Sequence, residues 1–453
     1  MSRRHLMKVG DTLSVVISDL GHSGEGVAKL DDLPIFVPGA LVGESVTVTI
    51  DTARPTYCKA SVQSVDAPSP HRTVPPCPIF GECGGCQLQH LDYRAQLDWK
   101  WHRVNRALQS IGKVSDPAPK SVIGMDIPFH YRNKVLIPLS TTIQGLPCAG
   151  FYKPGSHHVV PMTTCHIQDS RFTQLISETL TYLHDTRISI YDERTHFGVA
   201  RAILARASET QLVVCLVING ASLPHQDQFV KAISSIPGVT GIGIIINQDH
   251  TNVPITDEAR CLYGSLDVTT QFDALNLTAP AHNFFQVNPE QSQIMIKTVQ
   301  SAIANPVTTI FDLYCGVGPL GLAVASRCDR LFGNEISPIA IQYAHRNAAQ
   351  NGILNARFDA GDAPKITRQW AAGGASPDVV IVDPPRKGCS EEMIRLLLEM
   401  SAPQVVYVSC DPATLARDIG VLKSRYTVDW IQPIDMFPQT SHIECVASLN
   451  LGA

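Results

Sequence analysis

Two hydrophobic rhythms run along the chain, and the places where they change divide it. Between residues 10 and 65 the apolar positions come in short β-branched runs: Val15–Ile17, Val27–Leu30, Ile35–Val37, Ser45–Ile50 and Lys59–Val65. Gly-Glu-Gly, Asp-Asp and Pro-Gly turns separate them, so the pattern predicts a small five-stranded OB-like β-barrel. Barrels of this kind often grip single-stranded nucleic acid, although the fold alone does not assign a function. Pro68–Pro78 breaks the rhythm. From Leu91 to Ile111 the period becomes helical, with Trp99, Trp101, Val104 and Leu108 in register, until Gly112 and Pro117/Pro119 stop it. Residues 120–280 mix the two periods. Strands are expected at Lys134–Leu139, Ile188–Tyr191, Gln211–Ile218 and Gly243–Ile246, with helices near Ser170–His184 and Gln226–Ile236, which is an α+β arrangement.

The final third alternates short buried runs with helical segments, the signature of a Rossmann-like α/β sheet. Ligands of such sheets sit outside the carboxyl ends of the strands, and here every strand end carries polar chemistry. The first runs Ile310-Phe311-Asp312-Leu313-Tyr314 into a turn containing Gly316, Gly318 and Gly321. The second ends at Glu335, the third at Asp362, and the fourth at Asp383-Pro384-Pro385-Arg386-Lys387-Gly388. The fifth, Val405–Val408, ends in Ser409-Cys410-Asp411-Pro412, where a helix over Ala413–Ile419 is expected, and Cys410 is read as a nucleophile. No Lys-Ser/Thr follows the glycines, so a P-loop is excluded. A glycine turn with an acidic second strand fits a dinucleotide or S-adenosylmethionine, and Asp-Pro-Pro favours a methyltransferase.

Composition narrows the setting. The 453 residues are enough for two or three domains, 44% are hydrophobic and 17% charged, and no apolar run reaches membrane-spanning length. Met1–Gly10 is basic without an apolar stretch behind it, so no signal peptide is expected; Met7 is an alternative start that leaves Ser2–Leu6 as an unstructured overhang. Thirteen cysteines then imply a reducing compartment, with cytoplasm the expectation. Residues 1–120 carry net charge +1 and the remainder −6, so nucleic-acid binding has to come from local patches. One such patch is Phe129-His130-Tyr131-Arg132-Asn133-Lys134, aromatic rings beside cations. Cys77, Cys83 and Cys86 lie in a Gly/Pro loop that suits a metal centre, with Cys165 the best fourth ligand. Spacing leaves zinc and an iron–sulfur cluster both open.

Asp19–Ala28 (Asp-Leu-Gly-His-Ser-Gly-Glu-Gly-Val-Ala) and Phe36–Ala40 resemble a TRAM domain, an RNA-binding module of RNA-modifying enzymes. With Asn283-Phe284-Phe285-Gln286-Val287-Asn288, Ser409–Pro412 and Ser441-His442-Ile443-Glu444, nearly the whole chain resembles the uracil-C5 RNA methyltransferases, in particular the 23S rRNA branch with TRAM and iron–sulfur domains. The resemblance implies that Gln286, Tyr314, Glu335, Asp362 and Asp383 contact S-adenosylmethionine. It also implies that Cys410 is the nucleophile, that Glu444 accepts the proton, and that Cys77, Cys83, Cys86 and Cys165 hold a [4Fe-4S] cluster. The implied division is TRAM over 1–66, an iron–sulfur and RNA-binding unit over 67–90 and 120–280, and the catalytic unit over 91–119 and 281–453. A monomer acting on RNA, with no DNA or membrane partner, is expected. Asp411 stands where Asn is common, and Pro319 where a polar residue is. The rivals are a tRNA uridine-C5 methyltransferase, an amino-methyltransferase working through Asp383-Pro-Pro, and a non-catalytic iron–sulfur RNA-binding protein.

Overall fold

The computed structural model describes residues 7–250, 255–256, 258–303 and 305–452, so the expected overhang at Ser2–Leu6 lies outside the described residues. The amino-terminal unit is a six-stranded sheet rather than five strands closed on themselves. Its spatial order is Thr12–Val16, Ser45–Ala53, Cys58–Ala67, Leu33–Val37, Gly26–Leu30 and Asp19–Leu20. The first and last of these do not pair, because they are neighbours in the chain and Ile17 and Ser18 between them bond instead to Glu44 O and Val27 O, both at 2.9 Å. Where five strands of an OB-like barrel were expected, these six surround a small core that includes Val15, Ile35, Val46 and Ile50.

The middle of the chain forms a seven-stranded mixed sheet in the order Ala259–Gly264, Val239–Ile246, Leu212–Ile218, Ala200–Ala207, Lys134–Thr141, Pro147–Tyr152 and Val159–Pro161. Helices Arg171–Asp185 and Gln226–Ser234 bury Phe172, Leu175, Phe229 and Ile233 against it. The strand expected at Ile188–Tyr191 is absent: Ile190 makes a single bridge to Ala200, after Arg187 turns through φ 55°. Ala200–Ala207 was invisible to the period-two reading because it is buried on both faces and does not alternate.

The catalytic sheet also has seven strands, in the order Ala356–Ala360, Cys328–Glu335, Val307–Leu313, Val379–Val382, Gln404–Ser409, Glu444–Leu451 and Tyr426–Ile434. The first five run parallel, and Glu444–Leu451 runs antiparallel to both neighbours. Helices cover both faces, as a largely parallel sheet requires. The expected long helix is real but shorter: Tyr93–Ala107 is α-helical and Leu108–Gly112 widens into a π turn. That turn lies on helix Pro412–Leu422, and Gly112 is needed there because a Cβ would meet Ala416 O at 2.8 Å.

One buried ion pair fastens this helix to the sheet. Lys100 and Asp435 are both fully buried with Nζ and Oδ1 2.5 Å apart, and Tyr93 donates to the other carboxylate oxygen at 2.9 Å. Burial pulls the Lys100 pKa down, and the Asp435 carboxylate opposes that pull. Removing one partner strands the other charge without water. K100M should cost about 3–5 kcal/mol of unfolding free energy in urea, and K100M/D435L distinctly less. A single variant as stable as the parent would contradict the assignment.

Candidate active site

Five strand ends meet at one cleft. Cys410 follows Gln404–Ser409 and is half-buried. Asp411 accepts from Ala413 N at 2.9 Å and Thr414 N at 3.0 Å, starting the Pro412–Leu422 helix and fixing the turn that presents the thiol. The neighbouring strand begins at Glu444, which is 4% exposed. Ser409 pairs with Cys445 across the ladder, so Cys410 and Glu444 stand at adjacent positions on the same sheet edge. Asp383, just beyond Val379–Val382, completes the group from the other side.

Electrostatics tie these three together. Burial, then the charges of Glu444 and Asp383, push the Cys410 thiol up to about 12, while Arg386 acts the other way. Burial and Asp383 hold Glu444 well above the carboxylate range, again opposed by Arg386. Asp383, half-buried, is pushed up to about 7 by burial and by Glu335. Asp312, buried beneath the glycine turn, is also pushed up to about 7 by burial, although Gly321 N donates to its Oδ2 at 2.9 Å. Gly321 must be glycine because a Cβ would sit 2.6 Å from that oxygen. The cleft thus crowds acidic groups around one exposed arginine and favours a cation.

Other expected site residues lie around the same sheet edge. Tyr314 turns through φ 64° directly after Val307–Leu313, and burial raises its hydroxyl pKa. Gly316 and Gly318 adopt φ 56° and 89°; Gly316 N donates to Glu335 Oε2 at 3.3 Å, and Ser337 N donates to Glu335 Oε1 at 3.1 Å. Asp362 is exposed at the start of helix Ala363–Ala372 and does not cap it with its side chain, which leaves the carboxylate available to a ligand. Gln286 lies in the segment before helix Pro289–Ala302, where Arg206, fully buried, donates to Asn283 O at 3.1 Å and Phe285 O at 2.9 Å. The sequence reading missed this support from Arg206, a buried strand residue that carries no local sequence signal.

The four cysteines occupy a separate place. Cys77, Cys83, Cys86 and Cys165 are all half-buried, and Gly84 N donates to Tyr152 O at 3.0 Å to seat their loop. Burial raises Cys86 to about 12 and Cys165 to about 11, and both feel the charges of Cys83 and Cys77. Cys83 Sγ accepts from Gly85 N at 3.4 Å. Among the described residues, no three His, Cys, Asp or Glu side chains converge closely enough to hold a metal ion, so the expected iron–sulfur domain appears here only as four neighbouring thiols.

Known proteins resemble this arrangement. The family described as tRNA (uracil-5-)-methyltransferase matches residues 263–372 and 374–451, and the TRAM domain matches residues 7–62. An RNA methyltransferase of Halalkalibacterium halodurans is 39% identical over 446 residues, covering 97% of each chain. One of Listeria innocua is 37% identical over 450 residues, covering 98% of this chain and 99% of its own. In fold, the chain is similar to the Pyrococcus abyssi tRNA (uracil-54, C5)-methyltransferase, solved with S-adenosyl-L-homocysteine. The TM-score is 0.78 at 24% identity, over 96% of this chain and all of the other. Among the described residues no helix is long and apolar enough to cross a membrane. The chain belongs to the uracil-5 RNA methyltransferase family: it is an S-adenosylmethionine-dependent RNA methyltransferase with an amino-terminal TRAM domain.

Proposed function

We propose that the protein methylates C5 of a uridine in 23S rRNA through a covalent bond between Cys410 and C6 of the base. The observation that carries this reading is the ladder register that sets Cys410 beside Glu444 at one sheet edge, with Asp383 at the next strand end; Glu444 and Asp383 both raise the proton affinity of Cys410, and Asp383 raises that of Glu444. C5 of uracil is a poor nucleophile. Addition of the Cys410 thiolate to C6 moves the C5–C6 π electrons toward C5 and O4, which makes C5 carbanion-like. Bound S-adenosylmethionine supplies an electrophilic methyl group on a sulfonium. Gln286, Tyr314, Glu335, Asp362 and Asp383 are the residues proposed to hold it, and its positive charge suits their acidic cleft. Glu444 as carboxylate then takes the C5 proton; the C–H electrons restore the C5–C6 double bond, and Cys410 leaves as thiolate. Burial disfavours the charged form of both groups, and Arg386 opposes that pull on each. The target base has to leave its stack to reach the thiol, which is cheapest in an RNA loop.

The division proposed is residues 1–66 as TRAM, 67–90 with 120–280 as the iron–sulfur and RNA-binding unit, and 91–119 with 281–453 as the catalytic unit. The setting proposed is cytoplasmic, with the enzyme a monomer. Cys77, Cys83, Cys86 and Cys165 are proposed to bind a [4Fe-4S] cluster. Each thiolate of a cubane takes its own iron, so its four ligands need not converge on a single point. The chemistry needs no electron, and the cluster's role is to hold the loop and position RNA. Protein purified without oxygen should be brown and carry iron and sulfide at about four each per chain. Colourless, fully active protein with one zinc would refute this.

The 23S rRNA target is what the sequence resemblance to the rRNA branch with TRAM and iron–sulfur domains implies. A tRNA target is the second reading, favoured by the family description and by the activity of the Pyrococcus abyssi enzyme. Mapping 5-methyluridine in rRNA and tRNA from a deletion strain decides between them. Loss at a 23S rRNA position with tRNA intact is expected, whereas loss confined to tRNA would establish the second reading instead.

A further inference from the structure

The segment that delivers Glu444 is an irregular loop, residues 435–443, none of them exposed. A buried loop is unusual because its backbone polar groups cannot reach water. Here the partners are supplied from outside the two strands that flank it. Met436 O accepts from Asn288 Nδ2 at 3.0 Å, Phe437 O from Lys100 Nζ at 3.1 Å, and Pro438 O from the Tyr131 hydroxyl at 2.9 Å. Gln439 turns through φ 69° at the centre of the loop; its carbonyl accepts from both Gln87 N and Leu88 N at 3.0 Å. Gln96, 1% exposed, pairs with it twice: Gln96 Nε2 donates to Gln439 Oε1 at 3.0 Å, and Gln439 N donates to Gln96 Oε1 at 3.1 Å. Ser441 O accepts from Arg103.

The last link is the most telling. Ser441 N, three residues before Glu444, donates to Gln87 Oε1 at 3.3 Å, while the same amide's Nε2 donates to Gly84 O at 2.8 Å. Gln87 directly follows Cys86 in sequence. One side chain therefore joins the cysteine loop to the approach of the proposed base, across 354 residues of chain.

We propose that Gln87 is a positioning residue for proton removal: by holding Ser441 N and Gln439 O it fixes where the Glu444 carboxylate points. The proposal rests on the reading of Glu444 as base. It confines the role to one step, because Cys410, Tyr314, Glu335 and Asp383 stand on other strand ends that this loop does not carry. Formation of the Cys410–C6 bond and methyl transfer proceed without Gln87. Removal of the C5 proton and expulsion of the Cys410 thiolate do not, since both wait on the placement of Glu444.

The test uses the full chain, S-adenosylmethionine with a labelled methyl group, and an ordinary uridine-containing 23S rRNA fragment in single turnover. The readout is labelled, methylated RNA that stays bound to protein after denaturation. In Q87A, loss of the Ser441 hydrogen bond should slow resolution of that adduct about tenfold. S-adenosylmethionine affinity and thermal midpoint should stay close to the parent's. Q87E keeps the Oε1 acceptor for Ser441 N but loses the donor to Gly84 O, so its adduct should resolve near the parental rate. E444Q is run alongside and should trap the methylated adduct. If E444Q traps it and Q87A does not, Gln87 has no positioning role. If Q87E is as slow as Q87A, the effect comes through the cysteine loop and the proposal also fails. If E444Q itself resolves normally, the reading of Glu444 falls and this inference with it.

Discussion

The buried pair of Lys100 and Asp435 is the constraint on which the rest of the molecule depends. An ion pair without water is tolerable only when its remaining hydrogen-bonding capacity is used, and here Tyr93 and Phe437 O complete it. The geometry can be satisfied only if helix Tyr93–Ala107 lies across the end of strand Tyr426–Ile434. Once it does, the π turn at Leu108–Gly112 meets the Pro412–Leu422 helix behind Cys410, and Gln96 and Gln87 reach the loop before Glu444. A segment far from the catalytic sheet in sequence thereby braces two of its functional strand ends. The amino-terminal sheet is attached to the same helix through Arg106 and Asp19, an exposed pair 2.7 Å apart that contributes little energy but fixes direction.

The cleft itself is a place where burial and like charge act together. Cys410, Glu444, Asp383 and Asp312 are all pushed toward their protonated forms, and Arg386 is the cation that opposes the first two. Such crowding is costly in the free protein and is relieved by a positively charged ligand. A sulfonium cofactor is chemically apt because its charge disappears as the methyl departs.

Much of the catalytic unit was legible in the sequence because its signals are local. Parallel strands buried on both faces read as short apolar runs, and Asp312, Glu335, Asp383 and Cys410 stand where those runs stop. Glu444 came only from the resemblance: Tyr426–Ile434 and Glu444–Leu451 were not foreseen, since their pairing spans a buried loop that looks like any polar connection. The strand Asp19–Leu20 was missed because two residues are too few to show a period-two pattern. The strand expected at Ile188–Tyr191 shrinks to an isolated bridge between Ile190 and Ala200, in which Ser189 O and Tyr191 N bond to Val199 and Ala200 and no ladder continues. Gln87 and Gln96 were invisible for a simpler reason: their partner, Gln439, lies more than 340 positions away.

The account stands or falls on Cys410 as the atom that bonds to the base. The direct measurement is mass spectrometry of denatured protein after incubation with S-adenosylmethionine and target RNA carrying 5-fluorouridine at the modified position. Fluorine at C5 leaves no proton for Glu444 to remove, so the addition product cannot resolve. The account predicts a stable methylated nucleotide adduct on the peptide that contains Cys410, absent from C410S. An adduct on another residue, or the same yield from C410S, would contradict it.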